Sequence, residues 1–450
     1  MRRLIFKVNE WVQKGNTWAL LEELHKNESL PRQKIKEIQW EKLSRLIRYA
    51  YENVPFYRNV WKKRGLVPRD IRHFDDFKEK MPIISKKDVR DHFDEFVSEH
   101  PLPGVYVVET SGTTGYPVIF LRDGVARSYT MAGRFRGRGW WDVSPIDTEV
   151  RFWGRTSQFT PSLKIKVHDK IKRFKDLTIG IHYCSSFQMS EKDLEKYRRV
   201  IQRTDPKIIF GFPSAMFIFS KYMKDRGFNF LDSNIQLITY TAEPFYGSQK
   251  KVVQEVLGTS IGAEYGSVEN GVMAFECPEG SFHVMDEDIL MESSPVNEER
   301  SQLIATNLNL VSFPLIRYTT EDVGTLSDKM CRCGRPLTVM TLGQGRMFDY
   351  FRKPDGTYIV AAHIDDAIYL PLMDVEGCRR YRAIQRALNR VEVLLETRTI
   401  LPKNIVDRIH QNLVHLMGKG VDIDIRQVDQ LSVEKSGKFK CIISDLPLPE

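Results

Sequence analysis

Cysteine is scarce in this chain, six residues in 450, too few for the disulfide framework that small extracellular domains rely on. Long apolar runs are missing too. No stretch of about 18 apolar residues occurs, so no membrane-spanning helix is expected. The start, MRRLIFKVNEWVQKGN, is basic, but Lys7, Asn9, Glu10 and Gln13 interrupt its apolar character and make it a poor signal peptide. Internal repeats and low-complexity tracts are absent, as is any zinc-finger or aromatic-basic pattern of a nucleic-acid module. Charge is only mildly one-sided. Lys and Arg number 67 against 59 Asp and Glu, giving +8, which suits phosphate-bearing ligands or an acidic surface better than nucleic acid. The expectation is a soluble cytoplasmic protein, with peripheral contact of an amphipathic first helix at the inner membrane face as an alternative. Nothing in the sequence decides between a monomer and a homodimer.

What is present is an ordinary globular composition, 42% hydrophobic and 28% charged, at a length that predicts two or three domains. Residues 1–75 read as a helical lead-in: Ile35, Ile38, Leu43, Leu46, Ile47 and Ala50 recur at helical spacing until Pro55 ends the run. From about 100 to 340, β-branched runs at Val105–Thr110, Lys207–Phe210, Ile235–Thr239 and Ser260–Glu264 alternate with helical patterns at Glu191–Arg203, Ser214–Arg226 and Tyr246–Leu257. That alternation predicts mainly parallel α/β layers. Past the turn at Lys353–Pro354–Asp355–Gly356 the character changes, and residues 346–450 read as a separate small α+β domain.

The sharpest local signal is Glu109-Thr110-Ser111-Gly112-Thr113-Thr114-Gly115-Tyr116-Pro117, directly after a predicted strand. Two glycines let the backbone turn tightly while N–H and O–H donors converge, an arrangement suited to a phosphate. It is not a Walker loop, because no Gly-Lys-Ser/Thr follows. A plain Ser/Thr/Gly turn is the alternative for a single such instance.

Further segments follow in order: Thr241-Ala242-Glu243-Pro244, Tyr265-Gly266-Ser267-Val268-Glu269, Pro314 to Gly324 with Asp322 inside it, Gly345-Arg346, and Ser436-Gly437-Lys438. Together with the Ser/Thr/Gly loop they resemble the motifs of the adenylate-forming, or acyl-CoA synthetase, superfamily. Asn53-Val54-Pro55-Phe56-Tyr57, Phe275-Glu276-Cys277 and Cys331-Arg332-Cys333-Gly334-Arg335 look like the phenylacetate-CoA ligase-like branch, particularly members of capsular-polysaccharide biosynthesis. The resemblance covers nearly the whole chain. It implies an adenylate-forming α/β fold: a large layered N-terminal domain over residues 1–345 and a small mobile α+β domain over 346–450. It also implies ATP, Mg²⁺ and a small carboxylic acid as ligands. Coenzyme A is the leading acceptor; an amine or a hydroxyl, for instance on a sugar, is the rival. A nucleotide-binding scaffold with reduced turnover is the reading outside the enzyme class.

Each matched residue has a chemical reason to serve. Ser111, Gly112, Thr113, Thr114 and Gly115 would hold phosphates, and Ala242, Glu243 and Pro244 belong to the nucleotide motifs by resemblance. Tyr265, next to Gly266, can stack on adenine, and Glu269 can hold Mg²⁺ against the triphosphate. Asp322, at an expected strand end, could accept the ribose hydroxyls. Arg346 matches the hinge arginine of the family. Lys438 matches its catalytic lysine, a cation placed where a carboxylate attacks the α-phosphate; Lys435 and Lys440 are its near neighbours in sequence. Three departures stand out: Tyr116 where many relatives carry lysine, Val268 for a hydroxyl residue, and Glu321 where glycine is common.

Two weaker patterns remain. Cys277, His283, Cys331 and Cys333 offer the soft donors of a closed structural Zn²⁺ site, although Cys-x-Cys is tighter than the usual spacing; buried free thiols and a solvated histidine are the alternative. Arg379, Arg380, Arg382, Arg386 and Arg390 crowd an expected helical stretch, as a solvated face or as a site for an anionic acceptor such as the phosphates of coenzyme A.

Overall fold

The structure is a computed structural model that describes residues 2–12, 15–109, 118–154, 163–186, 189–242, 245, 247–297, 300–342, 350–372, 375, 378–397, 399–431 and 441–446. These fall into two compact units. The first is drawn from Met1–Glu109, Val118–Pro145 and Gly262–Gly345, the second from Ile146–Ile261 and Arg346–Glu450.

The first unit begins with the helices Arg2–Val12, Thr17–Asn27, Arg32–Asn53 and Pro55–Lys63. In the long third helix Ile35, Gln39, Lys42, Leu43, Leu46, Ile47 and Ala50 are buried, a stripe at steps of three and four residues. Val54 then turns extended and Pro55 opens the next helix rather than only closing the last one. A proline is tolerated there because the first-turn N–H has no partner to lose. The stripe packs with Trp61, Phe77, Phe313, Leu315 and Tyr318 in one core.

The rest of this unit departs from the parallel layers expected up to residue 340. Its strands run in the order Ile289–Asn297, Arg300–Asn307, Tyr318–Ser327, Val339–Leu342, Phe282–Val284, Gly271–Glu276 and Ile261–Ser267, each pair antiparallel. The reason is local. Short turns and loops rather than helices join most of these strands, and a parallel neighbour needs a crossover of a dozen or more residues.

Between helices and sheet lies a buried polar layer. Arg136 is fully enclosed and pairs with Glu28 and Glu287 at 2.8 Å each, as a buried cation must. Beside it, burial pushes the Asp286 carboxyl up to about 7, although the Thr338 backbone N–H donates to its Oδ2 at 2.7 Å. The folded value lies above the ordinary value of about 3.9. The stabilisation from the protonated form is therefore complete below that value and is lost as pH rises through about 7. Asp286→Asn keeps an acceptor for Thr338, so its thermal midpoint should rise relative to the native protein from about pH 4 to 7 and level off above. A difference constant with pH would show that this carboxyl does not titrate in that window.

The second unit holds the parallel layer. Leu237–Tyr240, Ile208–Gly211, Glu149–Phe152 and Ile181–Cys184 lie side by side in that order, all parallel. Helices Leu163–Thr178, Glu191–Thr204 and Pro213–Asp225 connect them, and Gly247–Leu257 follows the last. Ser190 caps Glu191–Thr204 with Asp193 in a reciprocal capping box.

The segment from 350 onward has a hydrophobic cluster of its own, running from Phe351 to Ile442. Its four strands are ordered Asp422–Val428, Arg390–Thr397, Cys378–Ala387 and Ile442–Ser444, with helices Ala361–Leu372 and Lys403–Met417. This overturns the helical reading of the arginine run. Arg379, Arg380, Arg382 and Arg386 lie on the strand Cys378–Ala387, and Arg390 opens the next. Arg382 and Arg386 alternate with buried Tyr381, Ala383 and Gln385, and Arg386 pairs with Glu392 and Asp445. Arg, Ala, Gln and Leu favour helix intrinsically, but pairing on both sides and burial of one face outweigh that preference.

Candidate active site

The Tyr-Gly-x-x-Glu motif is built by a hairpin whose glycines are sterically required. Ile261–Ser267 and Gly271–Glu276 pair antiparallel around the turn Val268–Asn270. A Cβ on Gly266 would lie 2.3 Å from the Gly271 carbonyl oxygen, and one on Gly271 would lie 2.1 Å from Thr130 Oγ1. Gly271 also has φ +81°, a region open to glycine at little cost. The turn leaves Val268 47% exposed and Glu269 only 4% exposed. The Asn270 N–H donates to Ser267 Oγ at 3.1 Å and holds the turn closed.

Asp322 does not close a strand as expected; it sits within Tyr318–Ser327. Against Arg300–Asn307, Val323 faces Gln302 and Thr319 faces Ile304, so two steps on one strand oppose four on the other. The surplus forms a bulge, a device that re-aims a side chain. Glu321 takes φ +61° in it, which explains why a glycine would be at ease there. Its charge is not left beside the site alone: Lys86 Nζ pairs with it at 2.7 Å.

Through this bulge the Tyr265 hydroxyl donates to Asp322 Oδ2 at 2.9 Å. Burial, then the charge of Asp322, raises the phenol well above its ordinary range, with Glu269 adding in the same sense. The phenol therefore stays protonated and remains a donor. Three motif side chains from residues 265, 269 and 322 thus share one neighbourhood. The Asp322 N–H donates to Thr320 Oγ1, and Thr320 Oγ1 donates to the Leu303 carbonyl at 3.0 Å. Thr320 lies inside the motif segment 314–324 without a role of its own assigned there, and Lys86 carries no signal in the sequence because it is 235 residues from its partner.

Other expected site residues lie outside the described residues: Ser111, Gly112, Thr113, Thr114, Gly115, Glu243, Pro244, Arg346 and Lys438. The strands flanking the Ser/Thr/Gly loop, Tyr106–Glu109 and Ile119–Arg122, pair antiparallel with Glu109 opposite Ile119. Ala242, just past the strand Leu237–Tyr240 of the second unit, has φ +70°.

The four soft donors do converge. Ligand atoms of Cys277, His283, Cys331 and Cys333 all lie within 4.8 Å of one another, and such a group could hold a metal ion. Cys277 and Cys331 Sγ are 3.8 Å apart, and Cys333 Sγ is 3.1 Å from His283 Nε2. Two tight turns carry the cysteines. Gly280 N–H donates to the Cys277 carbonyl and Gly334 N–H to the Cys331 carbonyl, each glycine at positive φ. His283 comes from the strand Phe282–Val284, with Trp140 edge-on to its ring at 5.6 Å. Burial lowers the imidazole to about 4, which keeps it neutral, the ligating form. Burial raises Cys277 to about 12. At Cys331 burial acts upward too, but hydrogen bonds from Ser281 and the neighbouring cysteines lower the thiol overall.

The family model of the CapK C-terminal domain matches residues 351–445. A phenylacetate-coenzyme A ligase of Thermus thermophilus is 29% identical over 330 residues, 68% of this chain and 69% of that one. Protein CapK of Staphylococcus aureus is 19% identical over 418 residues, 91% and 89% of the two chains. The chain is a relative of the phenylacetate-coenzyme A ligases and of CapK. Its fold is also that of a solved 2-hydroxyisobutyryl-CoA ligase, at a TM-score of 0.62 and 16% identity, covering 93% of this chain and 91% of that one. The chain therefore shares the mixed α/β fold of that ligase. Among the described residues no helix is long and apolar enough to cross a membrane.

Proposed function

We propose that this chain activates a small carboxylic acid with ATP and Mg²⁺, forming an acyl-adenylate and pyrophosphate, and then passes the acyl group to an acceptor. The observation that carries this is the Tyr265–Asp322 hydrogen bond beside the buried Glu269 carboxylate. The Tyr265 ring offers a face to adenine while its hydroxyl holds Asp322, a carboxylate of the kind that accepts ribose hydroxyls. Glu269, buried in its turn, would take Mg²⁺ with the triphosphate. The loop 111–115 would hold phosphates, with Ala242, Glu243 and Pro244 along the nucleotide. Lys438 would neutralise charge as the carboxylate attacks, and Arg346 would serve the hinge about which the small domain turns between the two half-reactions.

Coenzyme A is the acceptor we favour, because ligases named for it are among the relatives. An amine or hydroxyl acceptor is the second reading, supported by the CapK C-terminal match and the near full-length likeness to CapK. A panel of carboxylic acids screened for pyrophosphate release, with and without coenzyme A, separates these readings. Release that depends on the acid supports adenylation; no release with any acid, alongside intact ATP binding, would mean a scaffold instead.

Asp322→Ala removes the proposed ribose acceptor and leaves the Tyr265 hydroxyl without its partner. ATP should bind about 5- to 150-fold more weakly, the equivalent of roughly 1–3 kcal/mol. Calorimetric titration of a variant shown to be folded checks this. Unchanged affinity would place the ribose elsewhere.

The cysteine cluster we assign to structural Zn²⁺. Tetrahedral zinc with bonds of about 2.3 Å sets its sulfurs roughly 3.8 Å apart, the separation of Cys277 and Cys331. Four protein ligands leave no open position, so the ion would bind two turns and a strand together without taking part in the chemistry.

A further inference from the structure

One helix of the second unit faces the wrong way for a soluble protein. Leu163–Thr178 packs beside the strand Ile181–Cys184, with Asp176 turned inward to accept from the Tyr183 hydroxyl at 2.9 Å. Its apolar stripe is on the other side. Val167, Ile171 and Phe174, at steps of four and three residues, are 47%, 52% and 70% exposed, and Leu177 extends the stripe at 51%. A helix on a globular protein normally buries such a stripe. Lysines border it. With about 100° of turn per residue, Lys170 falls about 60° to one side of the Val167 line and Lys175 about 80° to the other, and both are exposed. The helix sequence has six Lys and Arg against two acids, Asp169 and Asp176.

An apolar stripe bordered by lysines fits a bilayer with anionic headgroups, where the ring and aliphatic side chains enter the headgroup boundary and the ammonium groups reach phosphates. A second copy docking through the same face would set two basic helices against each other, which like charge opposes. The first unit independently shows the same composition. Helix Arg2–Val12 leaves Leu4 and Val8 exposed next to Lys7, while Phe6 turns inward onto Trp18 and Phe135. We propose that Leu163–Thr178 is a membrane-surface helix that lies flat on an anionic lipid bilayer through Val167, Ile171 and Phe174, bordered by Lys170 and Lys175. This docking does not depend on the activity proposed above.

The test is co-sedimentation of the full-length protein with vesicles of phosphatidylcholine mixed with phosphatidylglycerol, and of phosphatidylcholine alone. The protein should pellet with the mixed vesicles and not with the neutral ones. High salt should release it, and inorganic phosphate at matched ionic strength should release it no further, which separates a headgroup surface from a free-anion site. Ile171→Ser combined with Phe174→Ser should weaken binding about tenfold or more. Lys170→Glu with Lys175→Glu should likewise weaken binding to the mixed vesicles about tenfold or more. All four side chains are exposed, so both double variants should melt like the native protein and release pyrophosphate at the native rate. Failure of the native protein to bind mixed vesicles overturns the proposal, as does binding that neither double variant changes. A native dimer that Ile171→Ser with Phe174→Ser splits, without vesicle binding, would assign the stripe to a second copy instead.

Discussion

Lys438→Ala should lose about 10²–10³-fold in acyl-adenylate formation while binding ATP almost as the native protein does. In that step a carboxylate approaches the α-phosphate, and negative charge builds on the bridging oxygen of the departing pyrophosphate. An ammonium placed there acts on the transition state far more than on the bound nucleotide, so its removal lowers turnover more than affinity. Supplied with ready-made acyl-adenylate, the variant should still transfer the acyl group, because in the proposed mechanism the small domain would carry this lysine away for the second half-reaction. Lys435→Ala and Lys440→Ala should stay within a few-fold of native turnover. Single-turnover pyrophosphate release, set beside equilibrium ATP binding, reads all of this. Full adenylation by Lys438→Ala, or an essential Lys435 or Lys440, would place the C-terminal motif at the wrong lysine.

The cysteine cluster has the next largest consequence, in stability rather than rate. The protein should carry about one zinc per chain. Cys331→Ser combined with Cys333→Ser should abolish it and lower the thermal midpoint on the order of 10 °C. The ion would join the turn at Cys277, the turn at Cys331 and the strand of His283, 54 residues being the separation of the first two. Each turn is otherwise closed by a short hydrogen bond of its own, Gly280 N–H to the Cys277 carbonyl and Gly334 N–H to the Cys331 carbonyl. Pyrophosphate release should survive at temperatures where the variant is folded, since four protein ligands would leave the metal no open coordination position. Elemental analysis finding no zinc in protein never exposed to chelator would sink the assignment, and the cluster would then be a set of packed thiols.

By itself the sequence determined what depends on short-range pattern. The helical spacing of Ile35, Leu43, Leu46 and Ala50 predicts a buried face, and Leu43, Leu46 and Ala50 are fully enclosed. Strand and helix alternation between 207 and 257 predicts parallel pairing, and the strands Ile208–Gly211 and Leu237–Tyr240 are parallel. The segment from Tyr265 to Glu269 was also legible as a local motif, because a tight turn needs its glycines next to the side chain it presents. Only the tertiary structure decided the contacts that join distant segments. The bulge that turns Asp322 to the Tyr265 hydroxyl arises from a register mismatch between two strands, which neither strand's sequence contains. The partner of Glu321 is likewise Lys86, far away in the chain. The arginine run shows the limit from the other side: its residues favour helix locally, yet the strand Cys378–Ala387 is fixed by neighbours on both edges. Local preference is worth a few tenths of a kcal/mol per residue, whereas burying a sheet face and pairing both its edges gains several times that.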